Sequence, residues 1–364
     1  MSDPVLPDWN DGCVTQIMPG LLEPDDGPSL FDDAVLDAPS IVLLVIDGLG
    51  WHQLQDRAHI APTLTGLTSR RITTVAPSTT SAALTSITTG THPGEHGVVG
   101  YRIAVDSEVL NVLSWRTRRG DARDHIVPED FQTVPAFCGQ APLVVQNSPF
   151  ARTGFTRAHH AGGRQQGWRT LPTLPVEVRR AVAAGEPFVY AYYDGIDKIA
   201  HEFGFGEHYD AELAAVDRMV ADLLPMLPRG TALVITADHG LISCPDGEVD
   251  LDPSIMRLTR QISGEGRFRW LHAEPGRQRD VFDAAHDAHG DKAWVLTRDE
   301  ILDAGWFGPT VTDIARNRLG DVAVVARDQW SFADPADATP SWLVARHGSL
   351  SPEEMHVPLL TFAS

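Results

Sequence analysis

Three stretches are apolar at nearly every position: Ser40–Ile46 (SIVLLVI), Phe188–Tyr193 (FVYAYY) and Thr231–Thr236 (TALVIT). Runs without a polar alternate predict strands covered on both faces, as in a parallel sheet. Between and beyond them the period changes. Residues 209–227 place Leu213, Val216, Val220, Leu223, Leu224 and Leu227 at helical spacing, which predicts an amphipathic helix. Residues 172–184 predict another, with Pro175 in its first turn and Gly185 stopping it. Residues 62–69 read as a helix, 71–75 and 142–145 as strands, and Ala82, Ala83, Leu84 and Ile87 as a short buried helix beginning near Ser81. Residues 101–105 and 109–115 alternate like a hairpin around Asp106-Ser107. The β and α elements alternate through most of the chain, implying right-handed crossovers and an α/β fold with helices on both faces of a parallel sheet.

The texture breaks in two places. Residues 99–140 become polar and irregular after the hairpin, and 246–320 are rich in Pro, Gly and charge, with apolar runs at 268–271 and 293–296 flanking a helix near 280–289. Both are read as cap insertions, the second a small α+β unit. The core is then 39–98, 141–245 and 321–364, resumed by the strand DVAVVA at 321–326, continued through the apolar segment 342–345 and closed by 353–360. Residues 1–38, rich in Asp and Pro with an apolar patch at 14–22, form an N-terminal arm.

At 364 residues and 43% hydrophobic content, the chain suits one elaborated α/β domain. A formal charge of −20, from 29 basic against 49 acidic residues, argues against a nucleic-acid-coating protein, because phosphate backbones draw clustered Lys and Arg. Cys13, Cys138 and Cys244 are too few and too scattered for a disulfide framework. The N-terminus MSDPVLPDWNDG lacks a basic start and an apolar run, and no apolar stretch approaches a membrane span. The expectation is a cytoplasmic protein without membrane contact; oligomeric state is left open.

Charged and hydroxyl side chains stand where predicted strands end. Asp47-Gly48 follows the first apolar run, Asp238-His239 follows the third, and His347 follows 342–345. Ligands bind at the carboxyl ends of strands in open α/β sheets, although Asp47 also suits a helix cap. Asp197 and His201, four apart, would share one face of a helical turn and could hold one metal ion, or simply face solvent. Thr80 precedes a helix, where backbone N–H groups gather an anion; a Thr there is either a cap or a hydroxyl facing a phosphate. As a nucleophile it would need a base or metal to activate it.

Taken together, VIDGLGW, the PSTTSAALTSITTG run, DKIAHEFG, ADHG and RHGS resemble the metal-binding motifs of the alkaline phosphatase superfamily, and within it the nucleotide pyrophosphatase/phosphodiesterase branch. The motif order matches over residues 40–245 and 321–360. The resemblance implies a three-layer αβα sandwich with a mostly parallel central sheet and an inserted α+β cap. It implies two divalent ions, zinc foremost, with manganese and iron open by ligand type. Asp47, Thr80, Asp238 and His239 would hold one ion, and Asp197, His201 and His347 the other. Thr80, ten residues before Gly90, falls where the branch has its nucleophile. The implied reaction is hydrolysis of a small-molecule phosphodiester or nucleotide pyrophosphate through phosphothreonine. Where the branch reads Gly-Ile-Val-Gly-Asn, this chain has Gly97-Val98-Val99-Gly100-Tyr101, so Tyr101 either replaces the phosphate-binding Asn as a donor or packs as an aromatic. A monoesterase would need an extra cation, for which Lys198, Arg346, Arg102 and Arg152 are the candidates. Sulfatase chemistry is disfavoured, since Thr cannot become formylglycine. A catalytically silent metal- or nucleotide-binding protein is the remaining alternative.

Overall fold

The structure, a computed structural model, describes residues 3–24, 29–244, 247–337 and 343–363; Trp342, with which the last apolar segment begins, lies outside them. Seven strands form the central sheet in the order Thr68–Thr73, His356–Ala363, Thr231–Thr236, Ser40–Ile46, Phe188–Tyr193, Leu143–Asn147, Arg164–Trp168. His356–Ala363 runs antiparallel to both neighbours, and the other pairings are parallel. The three apolar runs lie side by side in the middle with every residue buried.

Alternation along Phe188–Tyr193 shows why these runs needed apolar residues on both sides. Tyr190 packs on Phe137 and His160, while Tyr193, on the opposite face, reaches Glu212 of helix Glu207–Leu223. Helices Glu207–Leu223 and Leu174–Ala183 belong to one layer, and Thr80–Thr89 and Gly154–His159 to the other. The arm is part of this core: Val14, Ile17 and Met18 are fully buried, and helix Ile17–Leu22 packs beside Thr80–Thr89.

At the sheet edge the helix expected over 62–69 stops at Thr65, and the strand expected over 71–75 runs Thr68–Thr73. Its first four residues are exposed and include Arg70 and Arg71, so no apolar pattern marks them; charge on an edge also discourages pairing with another chain.

Residues 321–326 do not return to the core sheet. Val322–Ala326 pairs with Phe268–Ala273 and Ala293–Thr297, and with Thr259–Glu265 these form a separate four-stranded antiparallel sheet. Helix Gln278–His289 covers its outer face. Val322, Val324 and Ala326 face this insertion's own apolar cluster, whereas Ala323 and Val325 join the main core. A strand buried on both faces reads alike in either sheet, which is why the sequence misplaces it. Residues 102–121 form a small four-stranded meander. It meets the insertion where Gln261 Nε2 donates to the Glu108 carbonyl at 2.8 Å.

Candidate active site

Thr80 is the first residue of helix Thr80–Thr89, with Thr79 as N-cap and Gly90, at φ 69°, closing the C-terminus. The helix is buried throughout, and Thr79 makes no side-chain cap bond. The Thr80 hydroxyl does not turn back on its helix either: Oγ1 lies 3.1 Å from His239 Nε2. A capping hydroxyl would face the backbone N–H groups of its own first turn, so this contact speaks against the cap.

Three imidazoles share one arrangement. His239 Nδ1 faces the Gly240 carbonyl at 3.1 Å, His201 Nδ1 the Ala345 carbonyl at 2.7 Å, and His347 Nδ1 the Ser78 carbonyl at 2.9 Å. A carbonyl only accepts, so each Nδ1 carries a proton; in the neutral ring Nε2 then presents the lone pair with which histidine binds metals. His239 Nε2 lies 3.5 Å from Asp47 Oδ1 and from Asp238 Oδ2. Asp197 Oδ1 lies 3.3 Å from His201 Nε2 and 3.9 Å from His347 Nε2. Lone pairs facing carboxylate oxygens at such spacing repel unless a cation sits between them.

The carboxylates lead to the same requirement. Asp47 Oδ2 accepts from the Tyr192 hydroxyl, and Asp238 Oδ1 accepts from the Gly48 and His239 N–H groups, both at 3.1 Å. Asp47 Oδ1, Asp238 Oδ2 and Asp197 Oδ1 are buried without a hydrogen-bond partner. Buried polar atoms left this way are costly. Two sets of ligand atoms each lie within 4.8 Å of one another: Asp47, Asp238 and His239, and Asp197, His239 and His347. His239 therefore stands between the two groups expected from the sequence, and His201 joins the second through Asp197. The oxygen and nitrogen donors fit divalent ions such as zinc.

Electrostatics follow from the crowding. Burial, then Asp238 and Asp197, pushes the Asp47 carboxyl well above its ordinary range. Burial also raises Asp197 and Asp238, against the pull of His201 and His239 respectively. Burial lowers His239, and it lowers His347 far below its ordinary value, helped by His239 and His201. Burial thus favours the neutral, ligating form of both imidazoles.

A cavity of about 390 Å³ opens over Thr79, Thr80, Asp197, His201 and His347. Tyr101 lines it, and its phenol oxygen accepts from Asn111 Nδ2 at 2.6 Å. Of the four candidate cations only Arg346 lines the cavity, paired with Glu248 at 3.0 Å. Lys198 turns to Asp194, Arg102 is buried against Asp334 and Asp337, and Arg152 is not in the lining.

Sequence reasoning misses Glu265, Arg267 and Arg269, which the insertion carries into the cavity wall. No strand period marks them, because EGRFRW crosses a hairpin: Glu265 ends strand Thr259–Glu265, Gly266 and Arg267 make the turn, and Arg269 lies in strand Phe268–Ala273. Arg267 Nε and Nη2 donate to Glu354 at 2.7 and 2.8 Å, with both side chains fully buried. Glu354 also accepts from the Ser349 N–H at 2.9 Å and the Ser351 hydroxyl at 2.7 Å. Through this network the insertion holds the loop that carries His347. Burial pushes the Glu265 carboxyl up to about 8, against the Thr79 hydroxyl and Arg269.

The sequence matches the family described as type I phosphodiesterase / nucleotide pyrophosphatase over residues 41–162 and 164–350. No curated protein matches significantly. Among solved structures, murine ectonucleotide pyrophosphatase / phosphodiesterase 5 superposes with a TM-score of 0.66 at 17% identity, covering 88% of this chain and 87% of that one. An inactive threonine-to-alanine variant of the murine protein, in complex with AMP, superposes with the same TM-score at 16% identity over the same shares. Phosphonoacetate hydrolase from Sinorhizobium meliloti, in complex with phosphonoacetate, gives 0.65 at 18% identity over 89% and 90%. At these identities the likeness speaks for the fold.

Proposed function

Since the chain belongs to the type I phosphodiesterase / nucleotide pyrophosphatase family of phosphoester hydrolases, we propose that it hydrolyses phosphodiester or nucleotide pyrophosphate bonds with two divalent ions, by way of a phosphothreonine at Thr80. The observation that carries this reading is the Thr80 hydroxyl, which lines the cavity and lies 3.1 Å from His239 Nε2, itself 3.5 Å from the orphaned Asp47 and Asp238 oxygens. The inactivity of the murine threonine-to-alanine variant is in keeping with it.

Asp47, Asp238 and His239, with Thr80 Oγ1, would hold one ion; Asp197, His201 and His347 would hold the other. Such ions, when bound, supply Lewis-acid polarisation of the phosphoryl oxygens and favour the alkoxide form of the threonine. The residues supply the rest. His239, protonated on Nδ1 by its contact with the Gly240 carbonyl, keeps its Nε2 lone pair for the ion, and Thr80 Oγ1, 3.1 Å from that nitrogen, stands beside the same position. Thr80 Oγ1 forms the new bond to phosphorus as the bond to the leaving oxygen, an alcohol's or a phosphate's, breaks, the threonine proton going to that oxygen or to solvent; water then cleaves the phosphothreonine, its proton restoring the threonine hydroxyl and its oxygen completing the released phosphate. The N-terminal dipole of helix Thr80–Thr89 favours negative charge beside the attacked phosphorus. Tyr101, in the cavity lining, would donate to a phosphoryl oxygen.

Phosphomonoesterase activity is the second reading, and Arg346 is the cation that favours it; its pairing with Glu248 at 3.0 Å weakens that case. The deciding experiment compares kcat/KM for bis-aryl phosphate, aryl monophosphate and a dinucleotide pyrophosphate at matched zinc. A tenfold or greater preference for the monoester would overturn the diesterase reading.

A further inference from the structure

Asp197 and His201 lie on one helix, Gly195–Phe203, whose turn fixes their spacing. His347 has no such support, since it stands on the turn between strand Ala345–Arg346 and helix Pro352–Met355. What holds that turn is Ser78, fully buried and two residues before Thr80. Its carbonyl accepts from His347 Nδ1 at 2.9 Å. Its Oγ accepts from the Gly348 N–H at 3.1 Å and donates to the Ser349 carbonyl at 2.6 Å. Ser78 and Gly348 thereby form an antiparallel bridge. Glycine suits the partner position, for Gly348 has φ 122° and a Cβ there would come within 2.8 Å of the Glu265 side chain. From the other side, Glu354 accepts from the Ser349 N–H at 2.9 Å. The His347 ring in turn stacks on His239, with centroids 3.6 Å apart and planes 16° from parallel.

Resting on the two-ion reading, we propose that Ser78 is a positioning residue for the second ion: its carbonyl and hydroxyl fasten the turn of His347 to the segment that bears Thr80, so that His347 Nε2 meets Asp197 and His201 at a fixed place. The carbonyl orients the imidazole, and the hydroxyl holds the backbone that carries it. A ligand supported in this way binds metal more tightly than one on a free turn, by a factor of about 10–100 where such supports are removed from other sites. Because Ser78 and Thr80 share one short segment, the nucleophile and the second ion keep a constant separation. Asp47, Asp238 and His239 follow two paired strands, Ser40–Ile46 and Thr231–Thr236, and that pairing places them without the turn.

The test titrates zinc into the metal-free full chain in competition with a chromophoric chelator. Wild type is expected to bind two zinc ions. Ser78→Ala removes the hydroxyl and leaves the carbonyl; it should weaken one ion at least tenfold and the other less than threefold. Its turnover of a bis-aryl phosphate, lost at low zinc, should return to within about threefold of wild type at saturating zinc. Ser40→Ala removes a hydroxyl bonded to the Glu186 carbonyl at 2.7 Å, at the start of the strand that ends at Ile46, and should change neither affinity. Added to His347→Ala, Ser78→Ala should weaken zinc no further, because it acts through that imidazole. Hydrogen exchange in the wild type needs no variant to fold: the Gly348 amide, which donates to Ser78 Oγ, should slow at least tenfold as the second zinc enters. An unchanged exchange rate, Ser78→Ala affinities equal to wild type or weakened alike for both ions, or a full effect in the His347→Ala background overturns the proposal and leaves the two-ion reading standing. A wild type that binds fewer than two zinc ions instead overturns the two-ion reading, and the role of Ser78 with it.

Discussion

Replacing Asp47 with Asn separates the cost of the empty site from the gain on filling it. The Asp47 and Asp238 ligand oxygens lie within 4.8 Å of each other. Two like charges at that distance repel by about 3.5 kcal/mol at an effective dielectric of 20. This is an upper bound, because a carboxyl raised by burial and its neighbours takes up a proton instead. Asn keeps the shape and offers the Tyr192 hydroxyl an amide oxygen, so without metal the variant should be more stable than the wild type by about 2–3 kcal/mol. With metal that advantage is cancelled. Each ion at a hundred times its dissociation constant adds about 2.7 kcal/mol to the wild type, about 5 kcal/mol for two, and the variant forfeits most of one share. Unfolding entropy of about 2.1 cal/mol/K per residue converts these figures over 364 residues. The wild type should then gain about 7 °C in Tm from zinc, and in chelator the variant should melt about 3–4 °C higher than the wild type. Calorimetric melting in both conditions, with elemental analysis expecting about two ions per wild-type chain, provides the check. A variant that melts lower than the wild type in chelator, or a wild type indifferent to zinc, would refute the reasoning.

Thr80→Ala should reduce turnover by several orders of magnitude while Thr79→Ala is mild; trapped phosphate on Thr80 by mass spectrometry checks it, and the opposite pattern would move the nucleophile to Thr79. Arg267→Ala leaves Glu354 buried and unpaired, which should cost about 3–5 kcal/mol in urea unfolding; a loss under about 1 kcal/mol would show the network to be slack. Burial depresses His96 to about 3 and His159 and His272 to about 4, from the ordinary 6.5. Below that value the unfolded chain binds protons that the native chain refuses, so stability held above pH 6.5 is lost as pH falls towards 4. At about 1.4 kcal/mol per pH unit, His159 should account for roughly 3 kcal/mol of that loss. A His159→Leu protein should accordingly lose less than the wild type between pH 7 and 5 in urea midpoints, and an equal loss would contradict the assignment.

Both the middle of the sheet and the floor of the site are legible in the sequence. Ser40–Ile46, Phe188–Tyr193 and Thr231–Thr236 carry apolar residues on both faces because helices cover both faces. Strand ends then place Asp47, Asp238 and His239 together, and one helical turn puts Asp197 and His201 on a common face, 3.3 Å apart. The edge is harder to read: Thr68–Thr73 is exposed over most of its length and leaves no apolar trace.

What the sequence by itself determined was which segments are buried and which polar groups cluster at the sheet's edge, because burial and spacing are local properties of the chain. Only the tertiary structure decided which partners they have. Val322–Ala326 is apolar enough for either sheet, and its place in the insertion follows from pairing with Phe268–Ala273 some fifty residues earlier. Glu265, Arg267 and Arg269 do not stand out among the charges of residues 246–320, and only the folded insertion brings them into the cavity wall. The position of an apolar run or a charge along the chain does not say which distant segment it will face, and in this protein those distant pairings decide the cavity wall.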